Sequence, residues 1–501
     1  MNNFISNSNN AENNGYNLSN ELLIRHKFDL PGRTISLSVN TGINRKNTEK
    51  NILSMNEYFE TGQSSLDTIN QQTKQLTTGY NISSNLVYTE PVGEEAQVQA
   101  SFNVNLSRNK SDKKTNSFNL ISQNYDDIDS LLSNEYQNDY STMRGGLSYR
   151  YRTDELNISA GVSYQHSLLD GNQFFPTKHQ TGKLYKALLP NARVTYRFSE
   201  SSNIRFNYFA NTNPPSISQL QNTVDNTNSI FLSTGNPELK EEFSHRISLR
   251  YLNTNLQSGS SFFAMLFFNY IKNDVGNITI NASKDTLLPS GVFLQKGSQL
   301  TYPINFNYSY SIRSFINAGF PVNFIKSNIN FNTSLNLNLT PGQVNEIINY
   351  SKSYSIGQGI MVSSNIGEDL DFRLSYTPTF YITRNDKQID LNKEYFVHNA
   401  SAGFYFLFFN KVFIRSDFAY YFNQGISLDL KREYFLVNSS IGIKLFENNS
   451  GEIRFDTFDM LDQNRSLNRT ITESYIEDRT TIVLQRYFML SFVYNLRVFG
   501  G

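Results

Sequence analysis

The amino-acid sequence predicts an all-β fold, a large antiparallel transmembrane β-barrel. Two observations predict it. Polar and apolar residues alternate over long stretches of the chain, and short and long connections alternate between these stretches. Alternation of this kind indicates a strand with one apolar and one polar face. Spanning strands of about 9–11 residues, joined by short turns on one side and longer loops on the other, are typical of outer-membrane barrels.

The clearest alternation lies in residues 97–107. The apolar side chains of one parity are Val98, Ala100, Phe102, Val104 and Leu106, and only Gln, Ser and Asn occupy the other parity. Residues 328–339 repeat the pattern with Ile, Phe and Leu against Asn and Ser, and residues 488–498 repeat it at the end of the chain. The pattern predicts strands of about 9–14 residues, longer than the 5–6 residues of an average soluble strand.

The connections between these stretches fall into two classes. Short turns are predicted near residues 29–32, 90–94, 153–155, 200–202, 254–259, 320–323, 366–369, 410–411 and 447–451. Longer polar segments, predicted to be external loops, lie near residues 45–75, 108–139, 168–183, 211–242, 274–300, 340–350, 383–394, 424–434 and 460–485. Nine short turns join eighteen strands, and the C-terminal strand makes about 19. The short turns are expected on the periplasmic side.

The first predicted strand, near residues 16–28, runs into a short turn and would therefore enter from outside. Complete bacterial barrels have an even number of strands, and large plugged transporters have about 22. We therefore expect an odd number of strands to be missing before Met1, together with the plug. Residues 1–20 are polar, with no apolar segment typical of a signal peptide. On this interpretation residues 1–501 form one outer-membrane barrel domain.

Composition excludes several functions. The 44 basic and 44 acidic residues give zero net charge, which argues against nucleic-acid binding, and the absence of cysteine excludes disulfides and thiolate metal sites. No nucleophile elbow, zinc-protease motif or phosphate-binding glycine loop is present, so we predict neither an enzyme nor a cofactor. The soluble alternative, a long β-repeat or propeller, would need a repeat of about 20–50 residues, and the chain has none.

Other candidate sites have simple explanations. The five histidines, scattered along the chain, are predicted to be ordinary lumen or loop residues. Asp126, Asp127 and Asp129 could bind a hard cation, but they lack the glycine and glutamate of a calcium loop, so a solvated loop is favoured. The aromatic runs near 262–268, 404–409 and 418–422 suggest sugar-stacking surfaces, although aromatic girdles at the lipid interfaces explain them more simply.

Basic residues carry a further signal. A set that we call the basic belt has the parity of the polar strand face, mostly close to a short turn: Arg150, Arg152, Arg193, Arg197, Arg205, Arg250, Arg373, Arg415, Arg454 and Arg497. Arg25 and Lys27 share this parity. On the barrel interpretation the belt lines the lumen near its periplasmic mouth. It would hold carboxylates of a plug or steer an anionic solute; alternatively, it only makes the wet lumen soluble.

Two segments resemble a known family. Residues 211–220 (NTNPPSISQL) and 233–242 (STGNPELKEE), followed by the strand 243–251, resemble the mid-barrel loop of TonB-dependent receptors, and most closely the outer-membrane β-barrel family of Bacteroidetes-type bacteria. Residues 459–469 and 486–497 are similar to the C-terminal segment of that family. Gly235, Asn236 and Pro237 suit a turn before a long strand, so we expect a structural role for them.

The resemblance implies a receptor in the outer membrane of a Gram-negative, Bacteroidetes-like cell. Such a receptor binds a small molecule, saccharide or peptide at its outer loops. It imports the ligand when a TonB-type energy-coupling protein acts on the plug. The other implied partners are outer-membrane lipid and the insertion machinery, which would read the C-terminal strand with Phe499 as its terminal aromatic residue. The alternative function is a plugless passive porin or a structural outer-membrane β-barrel.

Overall fold

A computed structural model describes residues 3–60, 63–225, 231–288, 293–364, 367, 369–425, 432–446, 449–464, 466–471, 476–481 and 483–495. The first strands are β1 (Asn3–Lys27), β2 (Thr34–Glu60), β3 (Gln63–Pro91), β4 (Ala96–Asn119), β5 (Asn124–Ile128), β6 (Asn134–Arg152), β7 (Leu156–Phe175), β8 (His179–Ser199) and β9 (Ser202–Asn213). They are followed by β10 (Phe231–Ser233), β11 (Glu242–Asn255), β12 (Ser260–Asn281), β13 (Thr286–Leu287), β14 (Phe293–Leu294), β15 (Gln299–Val322), β16 (Ser327–Val344) and β17 (Ile347–Ser364). The last strands are β18 (Leu370–Asn385), β19 (Lys393–Phe408), β20 (Val412–Asn423), β21 (Glu433–Leu445), β22 (Gly451–Phe458), β23 (Ser466–Ile471), β24 (Ile476–Thr481) and β25 (Tyr487–Tyr494).

One sheet of 21 strands forms the wall. Two of them, β5 and β10, are short strands within connections, which leaves nineteen wall strands and confirms the predicted number. Each wall strand pairs antiparallel with its neighbours along the chain, from β1 with β2 to β22 with β25. In the described part of the chain, helical structure is limited to α1 (Ile217–Leu220) and two 3-10 turns, Asn323–Ile325 and Ile389–Leu391. No described helix is long and apolar enough to cross a membrane.

Strand register confirms the two-faced pattern. Phe102 on β4 lies opposite Leu86 on β3 and Gly145 on β6, so one apolar face runs across the three strands. On β25, Phe488 and Leu490 of the apolar parity are 62% and 75% exposed, as expected of side chains that face lipid. The polar parity therefore faces the lumen.

Strand ends place short connections at all nine predicted turn positions. Two of these turns require glycine. Gly32 and Gly93 have φ angles of 91° and 82°, in the left-handed region that side chains with a Cβ atom rarely adopt. The nine short turns lie at one rim of the wall. At the other rim the predicted loops near 168–183 and 340–350 are mostly strand with short connections at 176–178 and 345–346, whereas β9 and β11 are joined by a long connection.

The predicted strand length of about 9–14 residues was wrong for most of the described wall: β9, β11, β20 and β21 have 12 to 14 residues, whereas β1 to β4 contain 24 to 29 residues each. Segments 45–75 and 108–139, predicted to be loops, are largely strand. Their polar side chains carry no apolar alternation, but the backbone groups of adjacent strands still pair with each other. On the outward face of β4 and β6, Lys110 Nζ lies 2.7 Å from Glu135 Oε1. An ion pair on the outward face indicates that this part of the wall lies in water, above the lipid-facing band.

An aromatic girdle follows the outer edge of this band, as predicted. Tyr208, His245, Tyr270, Tyr308 and Tyr350 form a row in which neighbouring ring centroids lie 5.8 to 6.2 Å apart. Strand alternation places only every second residue of each aromatic run in a girdle. Phe262 and Phe268 share the outward parity of Tyr270, whereas Phe263 and Phe267 share the lumen-facing parity of Met265.

The histidine prediction was wrong for four of the five histidines. His26, His166, His245 and His398 have the outward parity of their strands. An imidazole ring, like a tyrosine ring, has an apolar body and a polar edge, which suits the membrane interface. In agreement with this, the Tyr208 hydroxyl and Nδ1 of His245 are 3.0 Å apart in the girdle.

Candidate functional site

The arginines of the basic belt share the lumen-facing parity and form two groups. In the first group, Arg150 and Arg193 both lie opposite Ser159, one on each side of it. Arg205 lies directly opposite Arg250 on the neighbouring strand. Arg152 and Arg197 lie on the same face, closer to the short turns. The side of the lumen from β6 to β11 therefore presents several cations close together.

The second group is neutralised by carboxylates of the wall itself. Nε of Arg415 donates a hydrogen bond to Asp417 at 3.1 Å. Arg454 contacts Asp456 at 2.9 Å and Glu452 at 3.4 Å. Arg373 lies opposite Gly403, which in turn lies opposite Asp417. The basic belt is therefore cationic on the β6–β11 side and balanced on the β18–β22 side.

The first group contacts amides and carbonyls instead of carboxylates. Nε of Arg193 donates to Asn207 Oδ1 at 3.0 Å, and Nη1 of Arg197 donates to the carbonyl of Asp154 at 3.3 Å. Nε of Arg250 is buried without a hydrogen-bond partner, and its guanidinium lies 5.4 Å from the ring centroid of Phe263. Like charges directly opposite each other, as at Arg205 and Arg250, destabilise a sheet unless an anion lies between them.

Two residues predicted to be functional, Arg497 and Phe499, lie outside the described residues. The acidic cluster has a structural explanation at one position. Oδ1 of Asp129 accepts hydrogen bonds from the backbone N–H groups of Leu131 and Leu132, at 3.0 and 3.1 Å. Within the described part of the chain, no three His, Asp or Glu side chains are grouped closely enough to bind a metal ion.

The described residues of the connection between β9 and β11, 214–225 and 231–241, fold against the inner wall, and we call them the inner loop. Leu239 is 0% exposed and packs with Leu169 and Leu220. Nζ of Lys183 donates hydrogen bonds to the carbonyls of Pro237 and Leu239, at 2.7 and 2.9 Å. Apolar burial and a charged hydrogen bond donor together fix the end of the loop.

The Gly-Asn-Pro turn of the inner loop has a structural geometry. The backbone N–H of Gly235 donates to the carbonyl of Gln221 at 2.8 Å, and a Cβ atom on Gly235 would clash with that same oxygen. Nδ2 of Asn236 donates to the carbonyl of Pro303 at 3.0 Å. The segment that resembles the mid-barrel loop of a receptor family thus joins two parts of the loop to the wall.

A buried polar network continues from the inner loop. The Tyr140 hydroxyl donates to Oε1 of Glu241 at 2.7 Å, and Nε2 of Gln165 donates to the Thr212 hydroxyl at 2.7 Å. Glu241 lies in the loop just before β11 and is 7% exposed, and burial raises the pKa of its carboxyl. Sequence reasoning missed this network because Tyr140 and Glu241 are 101 residues apart.

A polar cavity of about 280 Å³ lies between the inner loop and the tall part of β2, β3, β4 and β6. Its lining includes Lys50, Lys113 and Asn134 from the wall and Thr223 and Asp225 from the loop. Burial lowers the pKa of Lys113, which lies above the lipid-facing band, and Asp225 opposes this effect. The sequence prediction missed the cavity because it placed residues 108–139 in a loop.

Comparison with known proteins agrees with this architecture. The profile of the outer membrane protein beta-barrel family matches residues 26–377. No curated protein sequence matches the chain. Three solved structures are similar to it, each with a TM-score of 0.43. The copper transporter OprC is 10% identical, and the match covers 98% of this chain and 80% of OprC.

The ferric-catecholate import receptor Fiu from E. coli K12 is 11% identical over 93% of this chain and 65% of its own length. The hemophore receptor HasR of Serratia marcescens is 11% identical over 89% of this chain and 68% of its own length. The family profile covers more than half of the 501 residues. The chain therefore belongs to the outer membrane protein beta-barrel family, and its place is the outer membrane.

Proposed function

We propose that the chain is the barrel of a TonB-dependent type receptor, which binds a ligand at its outer loops and imports it through the lumen. The observation that carries the proposal is the charge of the lumen. A wall of nineteen strands is too wide to be filled by its own side chains. On the β6–β11 side it presents arginines that lack carboxylate partners among the described residues. An anionic group beside them would offset their mutual repulsion.

We propose that this group is supplied by carboxylates of a plug domain or by an anionic solute on its way through the lumen. The residues assigned to this role are Arg150, Arg152, Arg193, Arg197, Arg205 and Arg250. Arg373, Arg415 and Arg454 are the other described members of the basic belt, with a smaller contribution because Asp417, Asp456 and Glu452 lie beside them. Arg497, the tenth member, lies outside the described residues. Recognition is assigned to the outer loops and the inner loop, since loops carry binding residues on a rigid scaffold.

A labelling experiment tests the function. The sequence contains no cysteine, so Ser248→Cys introduces a single thiol on the lumen face of β11, next to the unpaired arginines. In intact cells we expect a bulky maleimide to label it slowly at rest and faster when the inner-membrane energy-coupling partner is active. Lys114→Cys, on an exposed outward position, is the matched control and should be labelled at the same rate in both states.

A passive porin would give a different result. Its lumen thiol would be labelled at one rate with and without the energy-coupling partner, and this outcome would contradict the proposal. The role of the basic belt is tested in the same assay by reversing the charges of Arg150, Arg193, Arg205 and Arg250 to Glu. We expect the lumen thiol to become accessible at rest, because a plug held by these cations would be released. Replacement of the same four residues by Lys should preserve the protection.

A further inference from the structure

The polar cavity under the inner loop, which we call the outer cavity, is lined on the wall side by a row of side chains from four neighbouring strands. In register, Thr48 on β2 lies opposite Gln75 on β3, Gln75 lies opposite Lys113 on β4, and Lys113 lies opposite Asn134 on β6. Residues directly opposite each other project to the same side of a sheet. The four side chains therefore form one continuous polar surface that faces the lumen side.

The inner loop covers this surface. Thr223 and Asp225 line the cavity from the loop, and the backbone N–H of Val224 donates to the carbonyl of Leu131 at 3.3 Å. The volume of about 280 Å³ could hold roughly nine water molecules at about 30 Å³ each. It therefore has room for one amino-acid residue together with several water molecules.

Buried polar atoms in the cavity have no hydrogen-bond partners. Asn134 is 3% exposed, yet both Oδ1 and Nδ2 of its carboxamide are unpaired, and so is the hydroxyl of Thr223. A buried polar group without a partner costs about 1–3 kcal/mol, so such atoms in a native protein need an explanation. The carboxamide offers one donor and one acceptor side by side, which matches the C=O and N–H of another amide group.

The charge of the cavity favours an anion. Lys113 forms no direct ion pair with a described residue, and it lies directly opposite Asn134 in the strand register. Lys50 adds a second positive charge, while Asp225 is the one carboxylate in the lining. A ligand carboxylate beside Lys113 would offset the cost of burying its ammonium group.

We propose that the outer cavity binds a carboxylate with an adjacent amide group, the chemistry of the last residue of a peptide, with the carboxylate on Lys113 and the amide on Asn134. The proposal rests on the receptor function proposed above and names its ligand class. The described residues of the lining include no aromatic side chain, so they offer a sugar ring no surface on which to stack. The outer cavity suits one residue, and the rest of a peptide would extend toward the outer mouth of the lumen.

Calorimetry with the protein isolated from outer membranes in detergent tests this proposal. The probe is N-acetylalanine, which has a carboxylate, an adjacent amide and about nine non-hydrogen atoms, as the volume requires. We expect saturable binding. N-acetylalanine amide lacks the carboxylate and propionate lacks the amide. Each should bind at least about tenfold more weakly than N-acetylalanine, given the strength of a hydrogen bond to a charged or buried group. Glucuronate, a sugar acid, should also bind more weakly.

Two variants and one control complete the experiment. Lys113→Met and Asn134→Leu should each weaken N-acetylalanine binding about tenfold or more. Lys114→Met, one residue away on the outward face, should leave it unchanged. Unaltered heat-modifiable migration on a gel verifies the fold of each variant. Binding of the amide or of glucuronate as tight as that of N-acetylalanine, or undiminished binding by Lys113→Met, would overturn the proposal, as would the absence of saturable binding.

These results are independent of the labelling test. Saturable binding with a lumen thiol that is never gated would retain the site and remove the import function. A gated lumen without binding of N-acetylalanine would retain the receptor and remove this ligand class.

Discussion

Leu239→Ala is expected to release the inner loop without unfolding the wall. The side chain is 0% exposed and packs with Leu169 and Leu220. Replacement of a fully buried leucine by alanine costs about 2–5 kcal/mol. The wall strands are held by their own backbone ladder, so this cost is expected to fall on loop docking. At about 1.4 kcal/mol per factor of ten, the docked state should lose a factor of about 30 or more in stability.

Hydrogen exchange measures this effect directly. The backbone N–H groups of Thr234, Gly235 and Asn236 donate to carbonyls of the wall or of the same loop at 2.6 to 3.0 Å, so their exchange reports loop opening. We expect their protection to fall about 30-fold or more in Leu239→Ala. Leu256→Ala, at an 89% exposed position in a short turn, is the control and should change nothing. Unchanged protection of the loop, or equal loss of protection in the wall, would refute the reasoning.

Three further predictions concern the lipid-facing band of the wall, the Gly-Asn-Pro turn of the inner loop and the buried carboxyl of Glu241. Phe102→Arg places a charge in lipid and should make the free energy of membrane insertion about 2–4 kcal/mol less favourable. Asn103→Arg, on the lumen face, should insert normally. The yield of folded protein in an insertion assay distinguishes the two variants. Gly235→Ala should lower the hydrogen-exchange protection of the inner loop through the clash with a carbonyl, whereas Gly182→Ala, which has open space around it, should not. The raised pKa of Glu241 means that docking binds a proton, so docking should be strongest below pH 4.5 and weaken as the pH rises through the raised pKa; in Glu241→Gln the protection factors should lose this dependence.

The sequence was sufficient to predict the spanning part of the wall. Between Val98 and Leu106 the apolar parity faces lipid and the polar parity faces the lumen, and such a regular pattern in many long strands is typical of a membrane-spanning wall. The tall part of β2 and β3 was missed because neither side of it faces lipid: the outward side lies in water, and the inner loop covers the lumen side. There the polar residues of 45–75 satisfy either face, and the pattern that identifies a spanning strand disappears.

Contacts of the candidate site between residues close in sequence could be predicted, and contacts between residues on different strands could not. The common face of Arg193 and Arg197 follows from their spacing of four, a multiple of the two-residue period of a strand. A spacing of two has the same consequence. The same spacing relates Arg454 to Asp456, so the balanced side of the basic belt could have been inferred from the sequence as well. The opposition of Lys113 and Asn134 could not, because it depends on the register between β4 and β6 and on the intervening β5 hairpin.

The unequal strand lengths give the molecule a slanted rim. β3, with 29 residues, measures about 96 Å along its axis at about 3.3 Å per residue, whereas β22 has 8 residues, close to the minimum that crosses a bilayer. A protein that lies flat on the cell surface meets a barrier at β1 to β4 and an open approach at β20 to β22. Any partner that covers the mouth is therefore restricted to one rotational position, and it must come from the low side.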